Sequence, residues 1–117
     1  LMYYDGLGTD KQIEKSFEYM LKAAEKGNPD AQFWVAYKYL HGDGIQTNDE
    51  ESEKWLIKSV KQNNAMAQWL LGILYLEGKE NDIKIEENKE YGIELLKKSA
   101  EQGYEEAIKK LKEISNI

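Results

Sequence analysis

The chain repeats itself at an interval of 36 residues, which limits it to architectures that stack one short unit. Tyr3, Gly6, Gly8, Glu14, Ser16, Lys22 and Asn28 fall on Tyr39, Gly42, Gly44, Glu50, Ser52, Lys58 and Asn64. The same shift carries Ala31, Gln32, Tyr39, Leu40 and Gly42 onto Ala67, Gln68, Tyr75, Leu76 and Gly78. A later copy returns at a shift of 40, setting Leu56, Lys58, Ser59, Gln62 and Ala67 on Leu96, Lys98, Ser99, Gln102 and Ala107. The last full unit therefore holds four extra residues, which the polar stretch Lys79–Asn88 accommodates as a loop.

Each unit reads as two helices. The first, A, is clearest in Ala31–His41 and Ala67–Glu77, each followed by a glycine (Gly42, Gly78) suited to a left-handed stop. The second, B, covers about Lys11–Lys26, Asp49–Gln62 and Asn88–Gln102. Along B, apolar or small residues recur at i, i+3, i+4, i+7 and i+8. They are Ser16, Tyr19, Met20, Ala23 and Ala24; then Ser52, Trp55, Leu56, Ser59 and Val60; then Gly92, Leu95, Leu96, Ser99 and Ala100. That spacing gives one amphipathic face each time. Gly27, Asn63 and Gly103 follow the B helices, and these residue types best tolerate positive φ. No segment alternates with period two for long enough to predict a strand.

A helix pair of about 36 residues cannot bury its own apolar face, so neighbouring pairs must cover it. The expected fold is all-α: a right-handed α-solenoid of stacked antiparallel helix pairs, closed by a C-terminal capping helix. Ser16, Ala31, Ala36, Ser52, Ala67, Gly72 and Gly92 are small enough for helices to approach closely, while Val35, Tyr39, Leu71 and Tyr75 fill the space between them. Trp34 and Trp55 are expected to face that interior.

The pattern Ala-x-x-x-small/apolar-small-x-x-Tyr-x-x-Gly-x-Gly, followed by a small residue, an aromatic and Ala-Ala-x-x-Gly, resembles the Sel-1-like repeat (SLR) family, a relative of the tetratricopeptide repeat. The resemblance divides the chain into a partial repeat at 1–28, a repeat at 29–64, a repeat with the insertion at 65–104, and a capping helix at 105–117. It weakens at Ser59-Val60, where Ala-Ala is usual, and at Gly78-Lys79-Glu80, where Gly-x-Gly is usual.

The register also makes predictions for both ends. Leu1 falls in what should be the last turn of an A helix, so the first unit is expected to begin upstream of it. Near the other end Lys112 stands where Ala36 and Gly72 are small, and Ser115 stands where Tyr39 and Tyr75 are aromatic. A lysine there would obstruct a further repeat by its bulk and its charge, which is the reason to expect a cap.

Composition removes most catalytic chemistry. The chain has no cysteine and one histidine, His41, so thiol nucleophiles, cysteine-based metal sites and sites with two imidazoles are excluded. Cysteine absence is compatible with the cytoplasm and does not exclude the periplasm. No apolar run approaches the roughly 18 residues of a membrane span. The net charge of −6 argues against nucleic acid and would suit a basic protein partner. His41 beside Asp43 could be a general base, yet a helix C-terminus is also where an exposed imidazole is electrostatically favoured. Asp49-Glu50-Glu51 and Glu86-Glu87 could bind a cation, yet they sit where B helices begin and complement the helix dipole. Gly42-Asp43-Gly44 lacks the lysine and length of a phosphate loop, and no Ser-x-x-Lys motif occurs. No enzyme activity, cofactor or metal is implied.

Helix A is instead unusual in being apolar or aromatic almost all round. With Ala31, Val35, Ala36 and Tyr39 assigned to the core, Phe33, Tyr37, Leu40 and His41 share another face, repeated by Trp69, Ile73, Leu76 and Glu77. The family resemblance implies that A helices line the concave side of the superhelix. Phe33, Tyr37, His41, Trp69, Ile73 and Glu77 are therefore the expected contacts for a protein or peptide ligand, since aromatic anchors dominate such recognition. The resemblance implies adaptor, host-interaction or toxin-immunity roles. The competing reading is a structural segment of a longer repeat protein.

Overall fold

The computed structural model describes residues 9–42, 44–77 and 88–115, with side chains from Lys15 onward. These residues form six α-helices and no strand: α1 (Thr9–Glu25), α2 (Pro29–His41), α3 (Asp49–Lys61), α4 (Ala65–Glu77), α5 (Lys89–Glu101) and α6 (Glu105–Ser115). The odd-numbered helices are the B helices and the even-numbered ones the A type. The expected glycine stop at Gly78, most of the Lys79–Asn88 loop, Asp43, Glu86-Glu87 and the matches at Tyr3, Gly6 and Gly8 lie outside the described residues.

Helices α2 to α5 each start where an asparagine side chain satisfies one of the open N–H groups. Asn28 Oδ1 accepts from Ala31 N at 3.0 Å, Asn48 Oδ1 from Glu51 N at 3.1 Å, Asn64 Oδ1 from Ala67 N at 2.9 Å and Asn88 Oδ1 from Tyr91 N at 3.2 Å. With these caps, α2 and α4 begin at Pro29 and Ala65, two residues before the alanines that mark them in sequence. Gly42 closes α2 at φ 72°, its N–H donating to the Lys38 carbonyl. Gly27, Asn63 and Gly103 all take positive φ, at 101°, 64° and 87°. The turns expected at Gly27, Gly42, Asn63 and Gly103 are therefore observed.

Consecutive helices pack on one another from α1 to α6, giving a molecule of 47 × 29 × 28 Å. The core is a single run of Val35, Ala36, Leu56, Ala67, Leu71, Leu95 and Leu96, each essentially inaccessible to water. Burying a leucine of this kind contributes about 2 kcal/mol. Within each pair, the close approach rests on small residues. Ser52 Oγ donates to the Ala36 carbonyl at 2.8 Å. In the next pair, Gly72 and Gly92 occupy the matching places, and a Cβ on Gly92 would stand 2.7 Å from the Gly72 carbonyl oxygen. Ser16, the third member of this series, is exposed, because no A helix covers that side of α1 among the described residues.

Polar contacts repeat with the units. Ser59 Oγ donates to the Pro29 carbonyl at 2.8 Å and Ser99 Oγ to the Ala65 carbonyl at 2.7 Å. These bonds account for serine at the place where the family pattern prefers alanine. Gln62 Nε2 donates to the Gly27 carbonyl and to Gln32 Oε1, at 2.8 and 3.0 Å. Gln102 Nε2 donates in the same way to the Asn63 carbonyl and to Gln68 Oε1, both at 2.9 Å. Between pairs, Gln32 Nε2 donates to the Ala24 carbonyl, while Gln68 Nε2 donates to Asn63 Oδ1. Tyr39 packs edge-on against Phe17, and at the next joint the Tyr75 hydroxyl donates to Glu53 Oε2 at 3.0 Å.

The first of two stability predictions concerns the tight contact. Gly92→Ala pushes a methyl into backbone on the facing helix, which cannot swing away, so the variant should lose about 1–3 kcal/mol. A urea melt with an unmoved midpoint would refute the close packing of α4 on α5. The second concerns Tyr75, whose hydroxyl is pushed up to about 12 by burial, by its hydrogen bond to Glu53 and that carboxylate's charge, and by Tyr91. An unfolded tyrosine ionises near about 10. The stabilisation is thus fully present below that value and is lost as pH rises through about 12. Urea melts between about pH 9 and 12 should show this decline, shallower in Tyr75→Phe. Tyr39 and Tyr104, also raised by burial, keep the slope from vanishing. Equal slopes in the two proteins would sink the assignment.

Candidate functional site

The A-type helices form one layer. Here α2 touches α4 directly, and Lys110 of α6 pairs with Glu77 of α4.

Along α2, Tyr37 is half-buried, with its ring centroid 4.3 Å from that of the exposed His41 imidazole. Phe33 departs from its expected place on the open face. It is only 2% exposed, a member of the core, with its ring 4.9 Å from Trp34 and 5.9 Å from Tyr37. Those two rings close over it, so Phe33 supports the face from beneath. Leu40 is buried as well, at 3% exposure. Trp34 is the converse correction, being 42% exposed instead of facing the interior. Its counterpart Leu70 is only 6% exposed, because α2 lies against α4, and no A helix lies on the other side of α2 among the described residues. Trp55 is buried as expected, with the Lys58 ammonium 4.7 Å from its ring centre.

On α4, Trp69 and Ile73 are half-buried and Glu77 is exposed. Trp69 packs beside Tyr104 at 5.7 Å between ring centres. Glu77 forms an ion pair with Lys110 of α6, and Lys110 also approaches Glu113 at 3.6 Å. The bond to Glu77 raises the Lys110 ammonium above the ordinary lysine value, with burial opposing it. A recess of about 290 Å³ lies beside this pair, lined by Leu76, Glu77, Lys89, Lys110, Glu113 and Ile114.

The structure thus brings together Tyr37 and His41 on one helix and Trp69, Ile73 and Glu77 on the next. Sequence reasoning missed Tyr104 and Lys110. The register did carry a signal for both, since Tyr104 stands where Asn28 and Asn64 cap helices, and Lys110 where Trp34 and Leu70 are apolar. Asp49, Glu50 and Glu51 occupy the first turn of α3, which is their dipole-complementing position. Among the described residues no cluster of three His, Asp or Glu side chains is placed to hold a metal ion, and no helix is long and apolar enough to cross a membrane.

Comparison with known proteins agrees with this architecture. The Sel1 repeat matches at residues 1–28, 29–64 and 65–104. A protective antigen present in uropathogenic Escherichia coli strains, displaying an SLR fold, superposes with a TM-score of 0.71 at 34% identity over 79% of this chain. A Sel1 repeat protein from Oxalobacter formigenes superposes with a TM-score of 0.73 at 28% identity over 80% of it. The chain spans 19% of the first neighbour and 26% of the second. No curated protein matches it. With three repeat matches across nearly its whole length and a superposable stack of helix pairs, this chain belongs to the Sel1 repeat family.

Proposed function

We propose that the layer of A helices is a docking face for a protein or peptide, centred on Tyr37, Trp69 and Ile73 and bordered by His41 and Glu77. Sel1 repeats are in general protein-interaction modules and non-enzymatic scaffolds. The observation that carries the reading is a set of half-buried side chains on adjacent A helices, Tyr37 with its repeat match Ile73 and Trp69 one turn before it, with Tyr37 and Trp69 resting on the core and still open to solvent. Such side chains lose little conformational freedom on binding and supply much contact area, as interface anchors do. In the superhelix that the family resemblance implies, a row on the A helices would line the concave side.

Within bacteria, an adaptor or host-interaction role draws support from the likeness to the uropathogen's protective antigen. A toxin-immunity role draws only on small size and acidic charge. The second reading, a structural segment of a longer repeat protein, is favoured by the small share of each structural neighbour that the chain spans.

A pull-down from the native cell with wild type and a Tyr37→Ala/Trp69→Ala double variant separates the two readings. Circular dichroism and a thermal melt would confirm that the variant is folded. The docking reading expects a partner lost, or bound about tenfold or more weakly, by the variant. An unchanged partner set would remove the aromatic row from recognition.

Charge makes a separate prediction for any partner so captured. The net charge of −6 favours a basic one, while the row itself is apolar and Glu77 is already paired with Lys110. Added salt should therefore slow association and leave dissociation nearly unchanged. Dissociation that quickens steeply with salt would assign the binding energy to the acidic surface instead.

A further inference from the structure

We draw no further inference here: the strongest candidate, the apolar end of the stack where Tyr19 of α1 and Trp34 of α2 stand exposed, carries nothing because no feature of the structure shows what covers it.

Discussion

Close approach between the two helices of a pair is the constraint on which the rest depends. At Ala36 against Ser52 only a hydroxyl separates the two backbones, and at Gly72 against Gly92 backbone meets backbone. Only at that distance can Leu71, Leu95 and Leu96 interdigitate without voids. Two solutions serve the same geometry. One pair keeps a serine and uses its hydroxyl as a hydrogen-bonded spacer; the other removes both side chains.

The hydrogen bonds that recur from pair to pair have a different task. A net hydrogen bond contributes about 1 kcal/mol, roughly half of what a buried leucine contributes. Apolar contact therefore supplies most of the stability, and the Gln62 and Gln102 contacts fix how one pair sits on the preceding turn. The two joints are not identical. Where Gly27 offers only a carbonyl, Asn63 occupies the same left-handed position and adds a side-chain oxygen for Gln68. An asparagine bears some backbone strain there, and that extra bond offsets it.

Much of this was legible in the sequence because it obeys local rules. Left-handed turns and small residues depend on a few neighbouring positions, so Gly42, Asn63 and Gly92 announce their roles, whereas Asn28 and Asn64 stood out only as a repeat match and their capping role came from the structure. The face of helix A was legible only in part. Phe33 and Trp34 are adjacent on a helix that is apolar nearly all round, and no periodicity says which of them a neighbouring helix will cover. Packing decides it: the same position is buried as Leu70 and open as Trp34. Tyr104 and Lys110 were overlooked for a related reason. They join the face from α6 and the turn before it, a region where only Lys112 and Ser115 were weighed, as obstacles to another unit.

That dependence on α6 has a consequence for how the face behaves. Helix α6 lacks the asparagine cap of its counterparts, since Ala107 N bonds the Tyr104 backbone carbonyl, and Ala107 is its only fully buried residue. In an array held by nearest neighbours, a helix with so little buried surface is held mainly by the helix packed on it, here α5. Any shift of α6 and the turn before it would loosen Tyr104 from Trp69 and Lys110 from Glu77 together. The shielding of one tryptophan and the pairing of one carboxylate thus hang on a single, sparsely anchored helix.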